Sequence, residues 1–154
     1  MIQDVPRIEI SSEVLDVWLS YRQLDPDTNE ACGVLIGGFD TTNKCYFFEK
    51  VTQPMLKDKR SRTFFKLEDK GHQLVVNDEF NQSNGKSVYL GTWHTHPQRV
   101  PVPSEVDYQD WDACIKRNKG RQLFFVIVGT ELVKIYAEYG NDFIEISTIS
   151  SAEC

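Results

Sequence analysis

Two histidines, a serine and an aspartate lie close together near the middle of the chain. His94 and His96 enclose one threonine, and Ser104 and Asp107 follow after an interval that contains three prolines. Imidazole nitrogens and carboxylate oxygens are common zinc ligands, and a catalytic zinc site keeps three protein ligands and leaves a fourth position for water. These residue types predict one catalytic zinc ion per chain, bound by His94, His96 and Asp107.

The elements around these residues explain how the ligands could meet. Residues 87–93 are typical of a strand, and side chains alternate faces along a strand, so His94 and His96 point the same way. The three prolines interrupt regular structure, and Ser104 then begins a helix that brings Asp107 back on its first turn. The motif therefore lies at the junction of one strand and one helix.

A structural role stays open for each half of the motif. His94 and His96 could be solvated polar residues at the end of a strand, and Ser104 with Asp107 is close to the capping box that begins many ordinary helices. The convergence of both halves at one junction favours the metal site. Ser104 can cap the helix and still face the metal.

The spacing of these residues resembles the signature of the JAMM metalloproteases. In that signature a His-x-His pair precedes Ser-x-x-Asp, as His96 here precedes Ser104, and an upstream glutamate stands before an apolar strand. Glu30 fits that place, and with Gly33 it is similar to the Glu-x-x-Gly of the prokaryotic members, the JAB branch. Thr95 stands where the family often has serine, and we expect it to face solvent.

The resemblance implies a role for each motif residue. Zinc would lower the pKa of its bound water toward about 7 and polarise a peptide carbonyl. Glu30 would take the proton of that water and pass it to the leaving amine. Ser104 would donate its hydroxyl hydrogen to the developing oxyanion.

The resemblance also implies a protein substrate. JAMM proteins cleave the peptide or isopeptide bond after the C-terminal tail of a ubiquitin-like protein. The chain looks most like the JAB-domain deconjugases of cyclic-oligonucleotide antiphage systems, where an E1/E2-like enzyme conjugates the C-terminus of a nucleotide cyclase. Such an extended tail could add as a strand to a free sheet edge. The basic segment 57–62 could meet an acidic target or form a solvated loop.

Two other functions stay open. The same scaffold could carry a zinc hydrolase of a sulfur-carrier or small-molecule adduct, which would need a closed pocket rather than a groove. It could also be a non-catalytic MPN-type interaction module, although all five motif residues are present.

Composition restricts the class of protein. The 154 residues suffice for one domain, 1–154, and a formal net charge of −6 argues against nucleic acid or an anionic membrane as partner. With no long apolar run and no basic-then-apolar start, we expect neither a transmembrane helix nor a signal peptide, and a cytoplasmic protein. The cysteines are scattered, which predicts free thiols and argues against the zinc deaminases, whose motif contains Cys-x-x-Cys. They are Cys32, Cys45, Cys114 and Cys154.

Periodicity and the resemblance together predict an α/β (α+β) fold of the JAB/MPN type, with a mixed, curved sheet flanked by about three helices, similar to the cytidine deaminases. We expect Trp93 in the core and His72 in solvent. The first helix begins after Ser11 or Ser12. The predicted strands span 5–10, 32–39, 44–53, 62–67, 87–93, 122–128, 132–139 and 143–147, and the other helices span 68–82 and 104–117.

Overall fold

The computed structural model describes residues 5–150, in which three helices and nine strands are formed. The helices are α1 (Ser12–Ser20), α2 (Gly71–Gln82) and α3 (Glu105–Arg117). The strands are β1 (Arg7–Ile10), β2 (Cys32–Asp40), β3 (Cys45–Val51), β4 (Lys59–Ser61), β5 (Phe64–Lys66), β6 (Val88–Thr95), β7 (Phe124–Val128), β8 (Leu132–Tyr139) and β9 (Asp142–Ser150). None of the described helices has both the length and the hydropathy needed to cross a lipid bilayer.

Seven of the strands form one mixed sheet in the order β1-β3-β2-β6-β7-β8-β9. The pairs β1/β3 and β6/β7 are parallel, and the remaining neighbours are antiparallel. Register shifts interrupt β2 on both of its edges, and such bulges bend a strand and increase its twist. The predicted mixed, curved sheet with three helices is confirmed.

The central strands are buried on both faces, and their side chains alternate between two cores. Along β2, Leu35 joins the core under α1, whereas Val34 and Ile36 pack with α2 on the opposite face. Along β6, Trp93 is fully buried in the core under α1, as predicted. Because faces alternate along a strand, His94 lies on the side of the sheet that α2 and α3 cover.

The strand predicted over 62–67 forms as the shorter β5, but it lies outside the main sheet. It pairs with β4, which was not predicted, as a separate two-stranded hairpin. Ser61 pairs with Phe64, so Arg62 and Thr63 make the turn, and neither is a residue that favours a two-residue hairpin turn. The basic segment 57–62 is therefore partly a strand, and the residues of that strand, β4, are exposed to solvent.

Two further predictions about exposure and boundaries need correction. His72 is only 5% exposed, because Thr52 and Asp58 bind its two ring nitrogens, so the prediction of a solvated histidine is wrong. Helix α2 begins at Gly71 rather than at residue 68, since the Asp58 carboxylate accepts hydrogen bonds from the amides of residues 68 and 69. α1 begins after Ser11, whose hydroxyl accepts a hydrogen bond from Val14.

The thiols of three cysteines are free and buried, in agreement with the prediction for Cys32, Cys45 and Cys114. Cys154 lies outside the described residues. The three cysteines therefore act as small apolar side chains in the structure.

Candidate metal centre

The pairing of β2 with β6 brings Glu30 to the two histidines. Cys32 is the partner of His94 across this antiparallel pair, so the same register carries Glu30 to a position opposite His96. Thr95 continues the ladder through a 3.0 Å hydrogen bond from its amide to the carbonyl of Ala31. Glu30 and His96, which are 66 positions apart in the sequence, thus become neighbours on one face of the sheet.

The donor groups of the three predicted ligands form a small triangle, in which each Asp107 oxygen faces a different histidine. The Nε2 atoms of His94 and His96 are 3.0 Å apart, and the Asp107 oxygens lie 3.3 Å from the first and 3.1 Å from the second. Ligands about 2.0–2.1 Å from a tetrahedral zinc ion are separated by about 3.3 Å, which follows from the bond lengths and the tetrahedral angle. The donor set therefore fits an ion of this size.

The pKa shifts of His94 and Asp107 suit a cation, whereas burial lowers the pKa of His96 less than its hydrogen bonds with Asp107 and Gln98 raise it. Burial lowers the pKa of His94, which favours the uncharged imidazole that binds metals. Burial alone would raise the pKa of Asp107, but hydrogen bonds with His94 and His96 hold it well below its usual value. Lone pairs that converge in a buried place need a positive partner, and a metal ion would supply it.

Glu30 completes the buried group that could bind a metal. An oxygen of its carboxylate and one ring nitrogen each of His94 and His96 all lie within 4.8 Å of one another. The residue is 4% exposed, and burial raises its pKa to about 7, against the lowering effect of His96. A cation at the three donor atoms would reduce that pKa, because a nearby positive charge favours the carboxylate.

Ser104 and Asp107 form the capping box that begins α3. The Ser104 hydroxyl accepts a hydrogen bond of 3.1 Å from the Asp107 amide, and the Asp107 carboxylate accepts one of 2.8 Å from the Ser104 amide. The same carboxylate faces both imidazoles, so capping and ligand geometry coexist in one side chain. Among described residues no acceptor takes the Ser104 hydroxyl hydrogen, which is free to face the groove.

Thr95 does not face solvent, contrary to the prediction. It is fully buried, and its hydroxyl donates to Gln23 Oε1 at 2.8 Å and accepts from the Ala31 amide at 2.8 Å. Thr95 shares a face with Trp93, and α1 covers that face. Its hydroxyl therefore holds the chain directly after Glu30 in place.

A groove of about 470 Å³ lies over this group. One wall is the β4–β5 hairpin with Phe64 and Phe65, and the other is the start of α3 with Val102 and Val106. Phe64, Val102 and Val106 are 46%, 58% and 51% exposed, so both walls present apolar surface to solvent. The groove is therefore open to solvent along both walls.

Comparison with known families identifies the domain. The family model described as prokaryotic homologs of the JAB domain matches residues 13–140. The chain belongs to this family. The match covers all of the motif residues and all three helices except the first residue of α1.

Relatives and a solved structure agree with this JAB assignment. A protein of Escherichia coli (strain TW11681) is 36% identical over 135 residues, covering 88% of this chain and 84% of the relative. A protein of Vibrio cholerae is 35% identical over 119 residues, covering 77% and 75%, and both are named CD-NTase/cGAS isopeptidase. A Desulfitobacterium hafniense protein solved in solution matches with a TM-score of 0.61 and 25% identity, over 90% of this chain and 88% of its own.

Two residues of this JAB domain that contact the histidines were missed by the sequence analysis. Gln98 Oε1 lies 3.0 Å from Nδ1 of His96 and also accepts the Val102 amide at 3.0 Å, so it holds the other ring nitrogen toward the donor triangle. The Phe65 ring stacks on His94 with centroids 4.6 Å apart. The proximity of Gln98 to His96 in the sequence was a weak signal, and Phe65 gave none.

Proposed function

We propose that this JAB domain is a zinc-dependent isopeptidase that cleaves the bond after a protein C-terminal tail conjugated to a target. The main support for this proposal is the close approach of the His94, His96 and Asp107 donor groups, whose facing atoms are 3.0–3.3 Å apart. The buried Glu30 lies beside them. The names of its relatives support isopeptidase chemistry for a chain of this family.

The roles of the residues follow from their surroundings. When bound by His94, His96 and Asp107, one zinc ion would supply an acidified water and polarise the scissile carbonyl. Glu30 takes the proton of the water and delivers it to the leaving amine, since its buried carboxylate lies beside the ring nitrogens of His94 and His96. Ser104 donates its hydroxyl hydrogen to the carbonyl oxygen as negative charge develops there.

The shape of the groove favours a polypeptide over a small adduct. The groove is open, and the apolar residues of its walls are exposed to solvent. This shape suits an extended tail with small or apolar side chains beside the scissile bond. A tail in this groove lies along the β4–β5 hairpin and can add to its edge through main-chain hydrogen bonds. The substrate we favour is a nucleotide cyclase joined to a target through its C-terminus by an E1/E2-like enzyme of an antiphage system.

The test of the chemistry is a variant that separates turnover from metal binding. Glu30→Ala should retain zinc and fold normally, yet lose about 10²–10⁴ in turnover of a purified tail conjugate, because it removes the proton acceptor. Glu79→Ala is the matched control: this glutamate forms a surface ion pair with Lys50 and should cleave at the wild-type rate. Wild-type turnover by Glu30→Ala would show that another group is the base.

The test of the substrate class uses the tail alone. A fusion of the cyclase C-terminal tail to an unrelated protein should be cut directly after the tail, and a chelator should abolish cleavage until zinc is restored. Equal cleavage of a scrambled tail, or efficient cleavage after exhaustive chelation, would contradict a metal-dependent enzyme that recognises the tail.

A further inference from the structure

Asp58 joins the two ends of the segment that carries the β4–β5 hairpin. Its carboxylate accepts a 2.9 Å hydrogen bond from the Met55 amide before the hairpin. After the hairpin it accepts two more from the amides of Glu68 and Asp69, each at 2.9 Å. The Asp58 side chain is fully buried, and burial alone would raise its pKa, but these amides and His72 hold that pKa below its usual value. A buried carboxylate with this many donors fixes both ends of the hairpin segment at one point.

His72 connects Asp58 to the central sheet. Its Nε2 lies 2.6 Å from the Asp58 carboxylate, and its Nδ1 lies 2.6 Å from the Thr52 hydroxyl. The Thr52 hydroxyl also accepts the amide of Val34 in β2, and the Thr52 carbonyl accepts the indole N–H of Trp93 in β6. We call Thr52, Asp58 and His72 the hairpin anchor, because they fasten the hairpin segment to the two strands that lead into the candidate metal centre.

The anchored hairpin contacts the candidate metal centre at three points. The Glu30 amide donates to the Ser61 carbonyl at 2.7 Å, and Arg60 Nε donates to the Glu30 carbonyl at 2.7 Å. On the next strand the Phe65 ring stacks on His94 at 4.6 Å. His94 Nδ1 has no hydrogen-bond partner among the described residues, so the Phe65 stack orients this imidazole together with the Asp107 contact at Nε2.

We propose that Asp58 and His72 are positioning residues, which hold Glu30 and His94 in their reactive arrangement through the β4–β5 hairpin. The proposal rests on the function proposed above, because the positioned groups are its base and one of its ligands. A carboxylate displaced by about 1 Å can lower a rate about 10²-fold, so a loosened hairpin reduces turnover without removing any group that touches substrate.

A positioning role and a general stabilising role predict different patterns of hydrogen exchange. If the hairpin anchor positions the hairpin, loss of Asp58 exposes the Glu30 amide, whose acceptor is the hairpin carbonyl of Ser61. The amide of Val126, in the fully buried strand β7, then stays protected. If the hairpin anchor only stabilises the fold, both amides lose protection together.

The experiment compares Asp58→Asn with Asp40→Asn in metal-free protein. Asp40 is the matched control, since its carboxylate also accepts two backbone amides, those of Thr42 and Asn43, but in an exposed turn. Asp58→Asn should exchange the Glu30 amide at least about tenfold faster than wild type and leave Val126 unchanged. With zinc and tail conjugate, kcat should fall about 10–10²-fold at saturating substrate. Asp40→Asn should match wild type in both measurements.

Two results would overturn the proposal: wild-type exchange at Glu30 in Asp58→Asn, or an equal loss of protection at Val126. If Asp58→Asn does not fold, His72→Gln answers the same question with a milder change, and it must show the same selective loss at Glu30. The exchange data are independent of catalysis. A wild-type protein that cleaves no conjugate would contradict the proposed function and leave the exchange result standing.

Discussion

Gln98→Ala should weaken the affinity for zinc, because it removes the acceptor that orients His96. Gln98 Oε1 lies 3.0 Å from Nδ1 of His96 and accepts the Val102 amide at the same distance. Loss of a hydrogen-bond partner behind a metal ligand costs about 10–100-fold in affinity. Gln98 and Val102 are exposed, so water can replace part of what is lost at both donors. We therefore expect the lower end of that range, about tenfold, which corresponds to about 1.4 kcal/mol.

Competition with a chromophoric chelator at fixed pH measures this affinity directly. Gln98→Glu keeps an acceptor at the same place and should bind zinc at least as tightly as wild type, since a carboxylate is the stronger acceptor. Gln122→Ala is the matched control, because the Gln122 side chain donates to the carbonyl of Leu123 and lies away from the groove. Equal affinities for Gln98→Ala and Gln122→Ala would refute the orienting role of Gln98.

Three further outcomes are expected. Elemental analysis should find about one zinc per chain, and His96→Ala should lose it; stoichiometric zinc in that variant would contradict the ligand set. The lowered pKa of Asp58 means that its contribution to stability is complete above the unfolded pKa of about 3.9 and is lost as pH falls through the folded value. Urea unfolding should therefore show a weaker loss of stability in acid for Asp58→Asn than for wild type. Gly33→Ala places a Cβ 1.9 Å from the Thr52 carbonyl oxygen, so the free energy of unfolding should fall by about 1–3 kcal/mol. An unchanged melting curve would argue against this close packing.

Much of the fold could be predicted from the sequence, because the residue patterns that indicate strands and helix starts are local. Apolar runs predicted β2, β6, β7 and β8 within a few residues of their observed ends, and serines marked the starts of α1 and α3. The motif resemblance indicated the family, and that resemblance, rather than a local signal, predicted that Glu30 lies with the histidines. Each of the local signals depends on residues close in sequence or on a spacing that strand geometry preserves.

The errors concern residues whose surroundings come from distant parts of the chain. Gln23, which binds the Thr95 hydroxyl, is 72 positions away, and Asp58, which binds His72, is 14 positions away. Whether a polar side chain is exposed depends on which elements cover it, and no local pattern records that.

The sequence by itself determined which groups can do chemistry and the order of the elements that carry them, because residue type and periodicity are properties of the chain. Tertiary structure alone decided that the hairpin lies against His94, that Gln98 orients His96, and that the Asp58–His72 pair fastens the hairpin to the sheet. The physical reason is that a buried polar group must find its hydrogen-bond partner in space. That partner is chosen by the packing of the whole fold.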